Sequence, residues 1–371
     1  MSMRRRVMQQ HGKCPGTTTR PSAVLAAVAV VSSMLLAGCS NAAEPAPPVA
    51  APPPSPAETE TAATATPTEN PTVTPPVVVD NIWPLTGEPI ADASNRPALL
   101  LKVEGSVMAR PQAGLEDADH VYEVVVEGGI TRFVAVYDSQ IPDVVLPIRS
   151  ARGSDIGIVE PYGGVFGFSG ANALALQRIR DSGIQSLTFD AGNAGFRRVA
   201  DRRAPHNVAG DTSVLLGQAN ATRAIPVPGN QRFAADAAAS SMAGGQPVSR
   251  LSARMSNIQT TNWDWNAATG VFLRSDGASP SMTVAGTQMS ADNVVLLSVE
   301  MTTVEGLPEV VLTGTGNAVY AADGRYIEGT WAKGGDALPF RFLDSTGAEV
   351  QFAPGTTWFQ LVPTTSSWTI N

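Results

Sequence analysis

The stretch from Ser40 to Pro76, SNAAEPAPPVAAPPPSPAETETAATATPTENPTVTPP, sets the first limit on this chain, because it holds almost no large apolar side chain. A segment of Pro, Ala and Thr cannot bury enough surface to offset the entropy of ordering it. It reads as an extended spacer, reaching on the order of 100 Å if mostly polyproline II at about 3.1 Å per residue. Its threonines could carry O-linked sugars. Residues 39–80 are therefore assigned to a disordered tether, and whatever folds begins near Ile82.

Ahead of the tether, residues 1–38 read as a targeting segment. Arg4, Arg5, Arg6, Lys13 and Arg20 make a basic leader. The apolar run from Ala23 to Ala37 that follows is only about 15 residues long, which suits a signal peptide and is short for a transmembrane helix, which needs roughly 20. The next residues, Leu36-Ala37-Gly38-Cys39, resemble a bacterial lipobox, in which the cysteine is lipidated (palmitate among its acyl groups) and becomes the first mature residue. Lipidation at Cys39 implies an extracytoplasmic protein anchored to the cell membrane. The other cysteine, Cys14, lies in the removed segment, so the mature chain has no thiol for a disulfide, a zinc site or a nucleophile.

Processing also sharpens the charge. The net charge of −8 becomes −13 once the five basic residues before Cys39 are gone. A chain this acidic repels nucleic acid, and basic residues that cluster in it stand out. After Cys39 only His120 and His206 remain, which excludes a multi-histidine metal site.

The folded part divides into residues 81–229, a connector over 230–247, and residues 248–371. In the first part, PALLLKVE reads as a buried strand, HVYEVVVEGG and ITRFVAVYDS as a hairpin turning at Gly128-Gly129, DVVLPI as a fourth strand and GVFGFSG as a fifth. ANALALQRIRDSG predicts a helix stopped at Gly183, and DTSVLLGQANAT a second one capped by Asp211. The expectation is an α/β or α+β domain with a mixed sheet and flanking helices. Beyond the connector, short strands separated by AATG, ADG and STG turns predict a smaller, mostly β domain.

Several of these stretches carry a likeness. WPLTGEPI, NRPALLLKVEGSVMARPQAGLEDADHVYEVVVEGGITRFVAVYDS, PIRSARGSDI, FSGANALAL and RRAPHN, with SADNVVLLSVE, GTGNAVYAADGRYIEGTWAK and FLDSTGAEVQFAPGTTWFQLVP further on, resemble the YerB-like bacterial lipoproteins. That resemblance implies a two-domain surface lipoprotein and supplies no reaction. In one loop, SDGASPSMTVAGTQ, this chain departs from the family's pattern: members tend to carry a histidine and an aspartate there, and here Ser281 and Thr283 stand nearby. The order of elements around Asp119, PIRSAR and FGFSGANALALQRI is also similar to the LytR-CpsA-Psr phosphotransferases, which move glycopolymers from polyprenyl pyrophosphate carriers. Ser150 follows Arg149 here, where those enzymes pair arginine with aspartate.

The candidate chemistry centres on VLPIRSARGSDI. Arg149 and Arg152 sit at a strand end beside a helix start at Asp155, and a guanidinium fork there suits a phosphate. FRRVADRRAPHN supplies Arg202 and Arg203 as further anion ligands. The competing reading pairs the arginines with carboxylates such as Asp119, Glu123, Glu127 and Asp201. Arg132 faces either the same cleft or solvent. Ser169, in GFSGA, is a helix cap, a phosphate-contacting hydroxyl or, in a G-x-S-x-G elbow missing its last glycine, a nucleophile. His206 is an acid/base or a loop pin, and His120 is structural. Trp263, Trp265, Trp331, Trp358 and Trp368 read as core more readily than as sugar platforms.

These readings converge on an envelope lipoprotein that binds an anionic ligand, such as a phosphorylated glycan or a polyprenyl carrier, with no cofactor and no nucleic acid. One alternative is a phosphotransferase in which Asp119 lies near a magnesium ion. The other is a non-catalytic scaffold for protein partners.

Overall fold

The computed structural model describes residues 82–91, 96–223 and 227–371; Cys39 and the tether lie outside them. The organising element is one large twisted sheet. It runs, edge to edge, Gln246–Pro247, Arg325–Lys333, Gly314–Ala322, Asn293–Val304, Thr357–Pro363, His120–Val125, Thr131–Tyr137, Leu99–Glu104, Val165–Phe168 and Gln185–Thr188. Leu307–Val311 and Arg341–Asp344 extend it off that path. The sheet crosses from the first sequence segment to the second where Thr357–Pro363 lies parallel to His120–Val125, with His120 opposite Thr357.

The hairpin turn falls where two glycines allow it: Gly128 and Gly129 have φ of 70° and 75°, a region that suits residues without a Cβ. Side chains alternate across the strands, so the sheet has an apolar layer on each face. Leu100, Val134, Val136, Phe166, Phe168 and Phe359 belong to one layer. Leu99, Leu101, Val103, Phe133 and Trp358 belong to the other, with Trp263 and Phe272 of a second sheet packed onto it. That second sheet is Ser279–Pro280, Val271–Asp276, Thr260–Asn266, Arg250–Arg254 and Ser367–Ile370, with Ser290–Ala291 at its side. Trp263, Trp331 and Trp358 are buried, and the Trp263 and Trp358 rings meet edge-on at 5.2 Å. Among the described residues both layers begin at or after Leu85, and Val73–Asn371 is one compact unit that contains both in full.

Three points differ from the sequence reading. Among the described residues the protein is mostly sheet, and its α-helices are few and short: Ile156–Val159, Ala173–Asp181 and Thr212–Leu216. A sheet, rather than a row of flanking helices, covers much of one face. The DVVLPI stretch is regular only over Val144–Val145, which pairs with Val208–Asp211 in a separate three-stranded sheet. Pro147 has no N–H to continue a ladder, but its carbonyl accepts from Glu104 N at 3.0 Å and Arg149 N donates to Lys102 O at 2.7 Å. The motif therefore docks along the end of the Leu99–Glu104 strand. Finally, the connector contributes edge strands at Arg232–Phe233 and Gln246–Pro247.

Candidate anion site at the sheet end

Leu99–Glu104 reads L-L-L-K-V-E, and alternation puts Lys102 and Glu104 on the same face as Leu100. Arg132 stands opposite Glu104 in the antiparallel register, so it shares that face. Lys102 and Asp155 are fully buried, and Lys102 Nζ donates to Asp155 Oδ1 at 2.7 Å. The second Asp155 oxygen accepts the Arg152 backbone N–H at 2.8 Å. Burial pushes the Lys102 amine below its ordinary value; Asp155 opposes this, while Arg132 and Arg152 add repulsion.

Three arginines gather above this pair. Arg132 Nη1 donates to Ser150 O at 2.8 Å, and its Nη2 lies 3.9 Å from Glu127 Oε2. Arg152 donates to Ala151 O at 2.6 Å and to both oxygens of Glu127. Arg149 Nε lies 3.3 Å from Glu104 Oε2 without hydrogen-bond geometry, and the Nε atoms of Arg132 and Arg152 are buried with no hydrogen-bond partner. Burial, followed by repulsion from Arg152, pulls the Arg132 guanidinium down to about 10; Arg149 contributes to the same effect. Four cations (Lys102, Arg132, Arg149 and Arg152) thus face three carboxylates: Glu104, Glu127 and Asp155. Glu127, on the glycine hairpin, is the most open of the three, with a side chain 33% exposed. Burial opposes its ionisation, but the hydrogen bond and charge of Arg152 outweigh that and hold it below the usual range.

Glu104 is the other organising carboxylate. His206 Nδ1 lies 2.9 Å from both its oxygens, and Ser106 Oγ donates to Oε1 at 2.7 Å. Gln112 Nε2 donates to the Glu104 backbone carbonyl at 2.9 Å.

The structure thus brings together Arg132, Arg149, Arg152 and His206. It places the other expected ligands elsewhere. Arg202 donates to Ala109 O at 2.7 Å and Pro111 O at 2.5 Å, pinning a loop, and Arg203 is exposed on the adjoining turn. Ser169 N donates to Arg149 O at 2.9 Å, but the helix cap is Asn172, whose side chain accepts from Ala175 N at 2.8 Å. His206 faces Glu104 rather than Ser169. The pairing of arginine with carboxylate is realised through Glu104 and Glu127, not through Asp201 or Asp119.

Asp119 lies at the opposite end of the His120–Val125 strand from Arg132, about 17 Å away at ~3.3 Å per residue. Its carboxylate is occupied by Ser139 N at 2.9 Å and by Asp138 N. Burial raises its pKa to about 6. The neighbouring His120 is held by Tyr162 Oη at 2.7 Å and Leu85 O at 2.9 Å, and burial lowers it to about 4. The two act on stability in opposite directions. Between about pH 4 and 6 folded Asp119 keeps a proton that the unfolded chain releases, so stability falls as pH rises. Over about pH 4 to 6.5 folded His120 lacks a proton that the unfolded chain holds, so stability rises with pH. Each contribution is roughly 3 kcal/mol, and they largely cancel. Asp119→Asn is expected to expose the histidine's share as a loss of stability on acidification from pH 6.5 to 4, read by urea unfolding. An unchanged pH profile would refute this assignment.

The opposite face of the same sheet end carries a second buried network that the sequence reading missed. Glu123, fully buried, accepts from Thr131 Oγ1 at 2.7 Å and from Arg274 Nη2 at 3.0 Å. Arg274 also donates to Asp276 Oδ2 at 2.8 Å and Ser281 Oγ at 2.6 Å, and Arg110 pairs with Asp276 Oδ1 at 3.0 Å. Ser281, singled out as a departure from the family pattern, serves here as a hydrogen-bond partner. The available sequence signal was the presence of charges at alternating positions inside otherwise apolar strands: Lys102, Glu104 and Glu123.

Residues 85–225 match the N-terminal domain of a protein of unknown function, DUF3048, and residues 251–359 match its C-terminal domain. The chain is 25% identical over 304 residues to "Putative lipoprotein YerB" of Bacillus subtilis, covering 76% of this chain and 86% of that protein. The crystal structure of the Bacillus subtilis YerB protein shares the fold, with a TM-score of 0.68 at 22% identity over 78% of this chain and 99% of that one. The two domain matches together span more than half of the chain, which makes it a member of the DUF3048 family.

Proposed function

We propose that this protein is an envelope lipoprotein, anchored through Cys39, whose arginine cluster binds the phosphate group of an envelope ligand. The observation that carries the reading is the charge excess at the sheet end. Lys102, Arg132, Arg149 and Arg152 outnumber their carboxylates, and the buried Nε–H groups of all three arginines have no hydrogen-bond partner. Glu127 occupies the place of a ligand anion. It is the most exposed member of the cluster and sits on a glycine turn, so exchanging it for a phosphate restores bidentate contacts to Arg152 and Arg132. His206 and Ser106 hold Glu104 and thereby set the position of Arg149. The relative named a lipoprotein supports the anchoring, as does the apolar leader ending in LAGC.

The test is thermal unfolding of the chain from Val73 onward with inorganic pyrophosphate. At a hundredfold excess over Kd, a ligand specific for the folded state adds about 2.7 kcal/mol. The gain is expected to vanish in Arg149→Ala/Arg152→Ala and to appear at lower pyrophosphate concentration in Glu127→Gln, where the competing carboxylate is neutral. No stabilisation in either the natural chain or Glu127→Gln sinks the proposal. In the full-length protein, Cys39→Ala is expected to leave the detergent phase, and unchanged partitioning would refute anchoring there.

A further inference from the structure

His206 is not needed to hold its own loop, because its neighbour Asn207 does that. Asn207 Nδ2 donates to Val199 O at 3.0 Å and to Arg202 O at 3.2 Å, and its Oδ1 accepts from Arg198 Nη1 at 2.6 Å. Arg202 fastens the same loop to the carbonyls of Ala109 and Pro111. The pairing of His206 with Glu104 is additional to these ties. Nδ1 lies 2.9 Å from both oxygens of that buried carboxylate, and Arg149 Nε lies 3.3 Å from the same Oε2. The His206 and Arg149 side chains are 22% and 19% exposed, so imidazole and guanidinium reach the surface beside each other around one buried oxygen. Ser106 Oγ, at 2.7 Å from Oε1, steadies the carboxylate. Among the described residues the ring makes its hydrogen bonds through Nδ1, and Nε2 stays open.

This is the geometry of a proton-transfer pair. With Nδ1–H committed to a carboxylate, the tautomer and the ring orientation are set, and the proton that exchanges is the one on Nε2. Of the cluster's other titratable groups, Lys102 and Asp155 are sealed from solvent, and Arg152 holds Glu127 ionised. Three guanidinium groups suit a phosphate monoester, which carries nearly two negative charges at neutral pH. Phosphoryl transfer passes through a loose transition state in which the attacking group contributes little, so the arginines meet the charge on the phosphoryl oxygens and the remaining need is a proton for the departing oxygen.

We propose that the site hydrolyses phosphate monoesters of alcohols, with His206 as the general acid and Glu104 as the residue that orients it. This rests on the phosphate-binding reading above and adds a reaction to it. The phosphorus–oxygen ester bond breaks, its electron pair passes to the departing oxygen, and that oxygen takes the Nε2 proton. A water oxygen bonds to phosphorus, and the proton it sheds returns to Nε2. Monoester and water give alcohol and inorganic phosphate, with His206 restored.

The experiment follows phosphate release by the chain from Val73 onward from two probes, glycerol phosphate and nitrophenyl phosphate. An alkoxide needs a proton to depart, whereas nitrophenolate leaves without one. The natural chain is expected to hydrolyse both, and Arg149→Ala/Arg152→Ala neither. His206→Gln is expected to lower kcat/KM for glycerol phosphate by at least about a hundredfold and for nitrophenyl phosphate by under about tenfold. Misfolded molecules or a displaced loop lower both rates alike, so the ratio reads the proton donor alone. Equal losses on the two esters overturn the assignment of His206, as does hydrolysis of nitrophenyl phosphate alone by the natural chain. If neither ester is hydrolysed by a chain that pyrophosphate stabilises, the reaction is refuted and phosphate binding stands. If pyrophosphate gives no stabilisation either, both readings fall.

Discussion

Asp155→Ala is expected to destabilise the fold by roughly 3–5 kcal/mol, the range for removing one member of a buried ion pair. Lys102 and Asp155 have no solvent exposure, and their 2.7 Å contact is the only ion pair in which both side chains are completely inaccessible among the described residues. Without Asp155 the Lys102 ammonium is left in an interior that already contains Arg132 and Arg152. The Arg152 backbone N–H loses its acceptor as well. The pH dependence gives a second signature. A lysine whose folded pKa is depressed binds fewer protons in the folded than in the unfolded state, so the variant is expected to regain stability as pH rises towards about 10. Lys102→Met/Asp155→Leu, which removes both charges, is expected to recover most of the loss, since apolar replacement of a buried pair is often close to neutral. Urea unfolding of the chain from Val73 onward reads all three. A cost below about 1 kcal/mol for Asp155→Ala would refute the buried-pair account.

Arg274→Met should be as damaging, at roughly 3–5 kcal/mol, for a different structural reason. Arg274 comes from the six-stranded sheet and Glu123 from the large one, so the pair fastens one sheet to the other. Carboxylates on both sides raise the Arg274 guanidinium above its ordinary value against the opposing effect of burial. Its loss strands Glu123, which has no exposure and keeps only the hydroxyls of Thr131 and Thr261. Asp276 still has Arg110 at 3.0 Å and suffers less. Adding Glu123→Gln to Arg274→Met is therefore expected to restore more stability than Asp276→Asn does. A double-mutant cycle in urea measures the coupling, and equal rescue by the two changes would contradict this ranking.

The buried charges mark the limit of what strand periodicity reveals. LLLKVE reads correctly as a strand, and the same alternation that sends Leu99, Leu101 and Val103 to one layer sends Lys102 and Glu104 to the other. The identity of their partners lies outside the strand. Asp155 is distant in sequence from Lys102, and Glu127 reaches Arg152 from a hairpin tip. VLPIRSARGSDI was legible as a strand-end motif because an apolar run stops at Ile148 and two arginines follow. Arg202 and Arg203 looked equivalent to them by composition, and only the path of the chain separates them. Arg202 is bound to carbonyls of the loop after Ser106, and Arg203 faces solvent.

By itself the sequence determined most of the segments that become strands, the Gly128-Gly129 turn and the Asp211 cap as a polar helix start. These follow from local chemistry: apolar periodicity, glycine's backbone freedom, and side chains that bond their own N–H neighbours. Only the tertiary structure decided that Thr357–Pro363 inserts beside His120–Val125, that one sheet unites the two halves, and that Arg132, Arg149 and Arg152 meet around Glu127. Those outcomes depend on pairings between distant residues. Many registers would satisfy the same local alternation, and the one formed is the one in which both apolar layers close while the buried charges find partners.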